Sequence, residues 1–244
     1  MLARFRNNIL TILRQQLHRI DSGLRGGVRH ECEVIYQNIV DRDLLSLSIP
    51  NKFYPLGAAA NYGLLYLILR SAQELDIRSL VELGAGQSSL MIDALRARKV
   101  IQGDTLTIDH DEEWAARIGK IVSHQVVTAP LTIVDDKPYT YEGYDLSKVD
   151  LPQRIDFLLI DGPLGWGKSR TYARHGALPI LERLDPDGFL IVVDDAEREG
   201  EAALVNRISS HLNDKGIQFR STRILASKRQ DVFASGKMIA AAFY

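Results

Sequence analysis

The sequence predicts an α/β fold in which a mostly parallel sheet is covered by helices. Four apolar runs have the continuity of strands buried on both faces, and helical patterns lie between them. Each run carries a carboxylate at or near its carboxyl end; the runs are 79–83, 105–109, 155–161 and 189–195. Open α/β sheets bind ligands at the carboxyl ends of their strands, so these repeated carboxylates indicate a binding site.

The remaining elements follow from hydrophobic periodicity and turn residues. Helices are predicted over about 58–75, 88–98, 112–122, 168–184 and 201–214. A short strand is predicted near 125–127, and 219–226 and 237–243 are predicted to form a final hairpin. The segment 130–152 has no clear period and is predicted to be a long loop. The pattern therefore gives three strands before the loop and four after it.

Length and composition favour one enzyme domain with an extension. The 244 residues divide into an N-terminal helical extension, 1–50, and an α/β domain, 51–244. A net charge of −1 gives no basic field for a nucleic-acid partner. The single cysteine, Cys32, excludes an intrachain disulfide and thiolate zinc clusters, and a cytoplasmic location is the simplest setting. No apolar run is long enough to cross a bilayer.

Residues 1–29 mix arginines with leucine, isoleucine and phenylalanine. Three interpretations remain open for this stretch. It could be an amphipathic helix packed on the domain or on a partner subunit, which would suit a homo-oligomer. It could instead give peripheral membrane contact, or it could be a targeting presequence.

The first strand leads into a glycine turn, Glu82-Leu83-Gly84-Ala85-Gly86, and then into a helix. Glycines let the backbone turn tightly and approach a ligand closely. A dinucleotide fingerprint would need a third glycine where Ser89 stands, and an acid beside the turn would repel phosphates. These two features disfavour an NAD-dependent enzyme and suit a cationic or hydroxyl-rich ligand.

The pattern E-x-G-x-G resembles the first motif of class I S-adenosylmethionine-dependent methyltransferases. The wider series, V-E-L-G-A-G-Q-S-S, I-D-H-D-E-E-W, L-L-I-D-G-P and V-V-D-D-A-E-R-E-G-E, is similar to the methyltransferase-24-like, catechol O-methyltransferase-related family. The resemblance covers about 54–214. It implies a Rossmann-like seven-stranded sheet whose last strand is antiparallel. Members often act in sugar and cell-surface polysaccharide pathways.

The resemblance also implies roles for individual residues. Glu82, Gly84, Gly86 and Ser88 would form the cofactor turn, with Glu82 near the methionine end. Asp109 would accept hydrogen bonds from the ribose hydroxyls. His110 would flank the adenine, unless it is an ordinary surface histidine.

Asp161, Asp194 and Asp195 match the acidic set that holds a divalent ion in catechol-type enzymes, with Asp195 where an asparagine is expected. Clustered carboxylates repel one another unless a cation or proton intervenes, and oxygen ligands suit Mg²⁺ or Mn²⁺. Two other interpretations remain open. Asp161 or Asp195 could act as a metal-free general base, with Asp161 also bordering the cofactor, or Asp194 or Asp195 could cap the next helix and pair with Arg198.

The loop after Asp161 is locally basic, with Lys168, Arg170 and Arg174. These residues would suit an acidic or phosphorylated acceptor, or they could simply begin a solvated helix. The resemblance implies methyl transfer to a hydroxyl of a sugar, a glycan or another small molecule. The alternative is a non-catalytic S-adenosylmethionine-binding or scaffold protein of the same fold.

Overall fold

The computed structural model describes residues 27–167 and 169–244. The predictions for residues 1–26 and for Lys168 lie outside the described residues.

The helices and strands alternate through most of the chain. The α-helices are α1 (Cys32–Ser46), α2 (Tyr62–Glu74), α3 (Gln87–Ala97), α4 (Glu112–Gly119) and α5 (Glu199–Asp214). The strands are β1 (Ser79–Leu83), β2 (Asp104–Asp109), β3 (Gln125–Thr128), β4 (Leu131–Asp136), β5 (Tyr139–Tyr144), β6 (Phe157–Ile160), β7 (Leu190–Val193), β8 (Arg220–Leu225) and β9 (Arg229–Ala234). Two 3₁₀ segments, Ala173–Arg183 and Gly236–Phe243, complete the described elements.

Seven strands form one sheet in the order β3-β2-β1-β6-β7-β9-β8. The first five are mutually parallel, and β9 runs antiparallel to both of its neighbours. The predicted fold class is therefore confirmed: a seven-stranded, mostly parallel sheet flanked by helices, with its last strand antiparallel. The strand order reverses between β1 and β6, which is where ligands bind in open α/β sheets.

The two faces of the sheet pack against different helices. Alternate residues of β6 show this, because Phe157 and Leu159 face one apolar core and Leu158 and Ile160 face the other. The first core is shared with α1, α2 and α3, and the second with α5 and the 3₁₀ segment Ala173–Arg183. Glu82 lies on the same side of β1 as Leu80, which places its carboxylate against α3.

Helix α1, in the region predicted to be an N-terminal extension, packs into the first core. Val40 and Leu44 are fully buried in that core. The Glu33 carboxylate accepts hydrogen bonds from the backbone N–H groups of Tyr62 and Ser227, at 2.6 and 3.0 Å. Helix α1 is therefore tied both to the start of α2 and to the turn between β8 and β9.

Three predicted elements differ from the structure. The segment 130–152 was predicted to be a loop, but β4 and β5 pair there as an antiparallel hairpin. The final hairpin is formed by β8 and β9, and the apolar run 237–243 belongs to a 3₁₀ segment instead of a strand. The predicted helix 168–184 is the shorter 3₁₀ segment Ala173–Arg183, which contains Pro179.

Within the described residues, no helix has both the length and the apolar character needed to cross a membrane.

Candidate functional site

The candidate site lies at the carboxyl edge of the sheet, around the switch point between β1 and β6. The backbone N–H of Gly84 donates to the carbonyl of Ile108, and that of Asp161 donates to the carbonyl of Leu83. The ends of β1, β2 and β6 are therefore held together at this edge. Strand β9 runs in the opposite direction, so the turn before it reaches the same edge.

The two glycines of the turn differ in what surrounds them. Gly84 has a φ of +95°, and a Cβ there would lie 2.8 Å from the backbone of Asp161 and Gly162. Packing within the protein alone thus requires Gly84. Gly86 has an extended backbone, and a Cβ there would meet no described atom within 4 Å. The space beside Gly86 is open, as close approach of a ligand requires.

Ser89 occupies the position where a dinucleotide fingerprint has its third glycine. Its hydroxyl accepts a hydrogen bond from the backbone N–H of Gly86 at 3.0 Å and donates to the Glu82 carboxylate at 2.6 Å. The side chain therefore braces the turn against the end of β1.

Glu82 is fully buried at the end of β1. Its Oε2 atom accepts hydrogen bonds from the hydroxyls of Ser89 and Thr107, at 2.6 and 2.7 Å. Burial raises the pKa of Glu82 to about 7, although the hydroxyls of Ser88, Ser89 and Thr107 act to lower it. The Ser88 hydroxyl is near enough to have this effect, but its geometry does not make a hydrogen bond.

Asp109 ends β2 beside the glycine turn. Its two oxygens accept backbone hydrogen bonds from Ala85, at 2.7 Å, and Asp111, at 2.9 Å. Burial alone would raise the pKa of Asp109, but these bonds and the imidazole of His110, 3.2 Å away, together lower it. Asp109 is therefore held ionised, with lone pairs left for further donors.

Four buried polar atoms around this turn have no hydrogen-bond partner of good geometry among the described residues. They are Glu82 Oε1, Ser88 Oγ, His110 Nδ1 and the hydroxyl of Tyr144. The Tyr144 hydroxyl packs closely against the Gly162 backbone. A Cβ atom added to Gly162 would lie 2.5 Å from the hydroxyl oxygen. Buried polar groups are normally paired, so these atoms have hydrogen-bonding capacity that a polar ligand at the turn could use.

The predicted acidic set comes together at the ends of β6 and β7. One carboxylate oxygen from each of Asp161, Asp194 and Asp195 lies within 4.8 Å of the others. Asp195 has a φ of 55°, a left-handed conformation that is uncommon for a residue other than glycine. Such strain is found most often at functional sites.

Basic side chains of the protein neutralise this acidic set. Arg174 lies 3.2 Å from Asp161, 2.9 Å from Asp195 and 3.4 Å from Glu201. Lys228 lies 3.1 Å from Asp194 and 3.2 Å from Asp195. The guanidinium of Arg198 also contacts Asp195, at 2.9 Å, so the predicted pairing of these two residues is present. The predicted helix cap is absent, because the N-cap residue of α5 is Arg198 and no side chain caps the helix.

The acids consequently differ in proton affinity. Burial and the nearby Asp194 carboxylate raise the pKa of Asp161 well above its usual value, although Arg174 and Lys228 oppose this. Burial also acts to raise the pKa of Asp195, but Lys228, Arg198 and Arg174 outweigh it and hold that pKa below its usual range. Asp161 is thus the better proton acceptor, and Asp195 is a fixed anion.

The donor set does not fit a bare divalent cation. Both oxygens of Asp194 are already engaged, Oδ2 by Lys228 and Oδ1 by the side-chain amide of Gln230 at 2.6 Å. Asp195 contacts three cationic side chains. A divalent ion bound by these carboxylates would have to displace an ammonium or guanidinium group.

The basic loop also differs from the prediction. Arg174 is buried among the acids, and Arg170 pairs with Glu142 at 2.8 Å, so neither is a solvated cation waiting for an acidic acceptor. Sequence reasoning did not assign Lys228, Tyr144 or Trp114 to the site. The Trp114 indole donates to the carbonyl of Ala85 at 2.7 Å. The only indication of this contact in the sequence is that Trp114 closely follows Asp109 in the motif I-D-H-D-E-E-W.

No protein-family model matches the sequence, and no curated protein matches it at a significant level. Solved methyltransferases resemble the fold at low similarity. The S-adenosylhomocysteine-bound methyltransferase PaMTH1 of Podospora anserina is 11% identical, covers 80% of this chain and 86% of its own, and has a TM-score of 0.47. A precorrin-6y C5,15-methyltransferase of Geobacter metallireducens is 14% identical, covers 76% and 90%, and has a TM-score of 0.43.

The hMettl16 catalytic domain in complex with an RNA hairpin is 12% identical, covers 80% of this chain and 77% of its own, and has a TM-score of 0.44. Because all these identities are low and every TM-score is under one half, the likenesses carry no argument about the activity. The functional conclusion therefore depends on the site itself.

Proposed function

We propose that this protein is an S-adenosylmethionine-dependent methyltransferase that methylates a hydroxyl of a sugar, a glycan or another small molecule. The observation that carries the proposal is the open space at Gly86, next to the ionised carboxylate of Asp109, which accepts the backbone N–H of Ala85. The Oε1 atom of Glu82, at the end of the strand that leads into this turn, is buried without a hydrogen-bond partner. Carboxylates at the ends of both strands disfavour a pyrophosphate. They favour a ligand with ribose hydroxyls at one end and a cationic amine at the other.

In this arrangement Asp109 would accept hydrogen bonds from the ribose hydroxyls, and Glu82 would face the amine of the methionine portion. Gly84 shapes the turn, Gly86 admits the ligand, and His110 borders it beside Asp109. The roles of Ser88 and Tyr144 would be to give their unpaired hydroxyls to the same ligand.

Asp161 follows β6 directly across from the glycine turn, so an acceptor hydroxyl beside it would lie near the transferred methyl group. The hydroxyl would give its proton to Asp161 while its oxygen forms a bond to the methyl carbon and the carbon–sulfur bond breaks. Asp194 and Asp195 would hold the cations that surround the acceptor. Since protein cations already neutralise the acids, the proposed step uses a side-chain base and needs no Mg²⁺ or Mn²⁺.

The same ion pairs favour the second candidate, a non-catalytic S-adenosylmethionine-binding protein, because paired acids need not act on a substrate. Both candidates predict cofactor binding, and only the first predicts transfer of a labelled methyl group to a hydroxyl compound.

Isothermal titration calorimetry tests the shared part. We expect micromolar binding of S-adenosylmethionine and of its demethylated product, and no binding of NAD. Binding of NAD alone would contradict both candidates.

The Asp109→Ala variant tests whether the bound cofactor contacts the carboxylate of Asp109. Each hydrogen bond from a ribose hydroxyl to a charged acceptor contributes about 1.5–3 kcal/mol, so the affinity should fall at least roughly tenfold. Asp93→Ala is the matched control. Asp93 also accepts a backbone N–H, from Ser123 at 2.7 Å, but it lies on α3 outside the turn, so its loss should leave the affinity unchanged.

A further inference from the structure

The acidic set has its own internal cation at the position where the resemblance implies a metal ion. Asp161, Asp194 and Asp195 bring one oxygen each within 4.8 Å of the others. The ammonium of Lys228 contacts two of these three carboxylates, at 3.1 and 3.2 Å. Its side chain is 9% exposed, so the charge lies inside the cluster and not on the surface.

Lys228 is held in this place by its surroundings. It lies in the turn between β8 and β9, and the neighbouring Ser227 gives both its backbone N–H and its hydroxyl to Glu33 of α1. The carbonyl of Ala226 accepts a backbone hydrogen bond from Arg29 at 2.9 Å. These contacts tie the backbone of the turn, directly before the lysine, to residues 29–33, and the ion pairs with Asp194 and Asp195 hold its ammonium.

The rest of the cluster fits an ammonium better than a metal ion. Lys228 contacts one oxygen of Asp194, and the side-chain amide of Gln230 donates to the other. Lys228 likewise contacts one oxygen of Asp195, and the guanidinium groups of Arg174 and Arg198 contact the other. A divalent cation needs about six oxygen ligands in a regular shell. Here the carboxylates are already shared among three positively charged side chains.

We propose that Lys228 takes the place of the divalent cation, so that the site works without a metal and uses a fixed ammonium beside the acceptor. The catalytic part of this inference rests on the proposed function. As the acceptor hydroxyl gives its proton to Asp161 and its oxygen bonds to the methyl carbon, Lys228 remains protonated and stabilises the negative charge that develops on that oxygen. The sulfur keeps the electron pair of the broken bond and leaves uncharged.

Titration with Mn²⁺, followed by electron paramagnetic resonance of the free ion, tests the replacement without any methyl transfer. The wild-type protein should bind Mn²⁺ weakly or not at all. Lys228→Ala should bind it at least roughly tenfold more tightly, because two of the three carboxylates lose their shared cation. Lys228→Met keeps the aliphatic stem without the charge, and it provides the same comparison should the alanine variant fail to fold.

Lys237→Ala is the matched control. Its ammonium also pairs with two carboxylates, Asp185 at 2.7 Å and Asp156 at 3.7 Å, away from the cluster. This variant should bind Mn²⁺ as the wild type does.

Two results would overturn the inference. One is tight Mn²⁺ binding by the wild type that Asp194→Asn abolishes. The other is a folded Lys228→Met protein that binds Mn²⁺ no better than the wild type. Calorimetry with S-adenosylmethionine on the same samples separates the two proposals. Failure of the cofactor to bind counts against the proposed function, whereas the Mn²⁺ result decides whether Lys228 occupies the position of the divalent cation.

Discussion

The two halves of the candidate site differ in how their buried charges are satisfied. Around the glycine turn, Glu82 Oε1, Ser88 Oγ and the Tyr144 hydroxyl are buried without partners among the described residues. Around Asp161, Asp194 and Asp195, every carboxylate has a cationic side chain within 3.2 Å.

An unpaired buried polar group costs about 1–3 kcal/mol, so the first half becomes fully satisfied only when a ligand binds. In the second half each carboxylate already has a protein cation beside it, although Asp195 Oδ1, Arg174 Nε and Glu201 Oε1 make no hydrogen bond. The comparison teaches that clustered acids at strand ends do not by themselves indicate a missing ion.

The largest expected effect is in the acidic half. Asp161→Asn removes the proposed proton acceptor and keeps the size of the side chain, so kcat should fall by about 10²- to 10⁴-fold while cofactor affinity stays nearly constant. Initial rates with a labelled methyl group and calorimetry on the same protein measure the two quantities. Asp187→Asn, the same change at an exposed position, is the control.

The pH profile supplies a second check on Asp161. Its pKa is raised, so the carboxyl is protonated at low pH and can accept a proton only once the pH exceeds that raised value. The rate should therefore increase with pH. Full activity in a folded Asp161→Asn protein would show that another group deprotonates the acceptor.

The next effect separates the two glycines. Gly84→Ala places a Cβ 2.8 Å from the backbone of Asp161 and Gly162 at a positive φ, so the free energy of unfolding should fall by at least about 2 kcal/mol. Gly86→Val fills open space on an extended backbone, and stability should change by less than about 1 kcal/mol.

For cofactor affinity, we expect the larger effect at Gly86, the position where the effect on stability is smaller. Gly86→Val should weaken binding at least roughly tenfold, or about 1.4 kcal/mol, because the side chain enters the space proposed for the ligand. Urea unfolding and calorimetry measure the two effects. A folded Gly86→Val protein with unchanged affinity would show that the ligand does not approach this glycine.

The sequence predicts the parallel half of the sheet well, because β1, β2, β6 and β7 are largely apolar runs whose burial is visible in the local pattern. Strand β9 is different. Its polar residues Arg229, Gln230 and Asp231 are buried, and Arg229 and Asp231 form an ion pair at 2.7 Å. Only the last three residues of this strand, 232–234, are apolar, which is too short a run to identify it, and the apolar run 237–243 was predicted in its place.

The same reason explains which site residues were found. Glu82, Asp109 and Asp161 follow their own strands directly, so local order predicts their position at the carboxyl edge. Lys228 has the appearance of a polar turn residue, and it reaches the acids only because β9 inserts between β7 and β8. Pairing between distant strands decides that contact, and no local pattern encodes it.

The smallest effect concerns Glu82, whose pKa is raised to about 7 by burial. In the free protein the carboxyl is protonated below that pH, whereas a cationic amine favours the ionised form. Cofactor binding near pH 6 should therefore release a proton, and affinity should rise by up to about tenfold per pH unit until the pH reaches about 7. Calorimetry in buffers with different ionisation enthalpies measures the released proton.

Glu82→Gln provides the comparison, because an amide does not titrate and its proton release should be absent. The stability of the free protein changes in the opposite direction. An acid whose folded pKa is raised contributes stability that is present at low pH and is lost as the pH rises from its unfolded value towards about 7. The difference in unfolding free energy between wild type and Glu82→Gln should shift across that window, and bound cofactor should reduce the shift. Equal proton release by both proteins would place the titrating group elsewhere and remove Glu82 from contact with the amine.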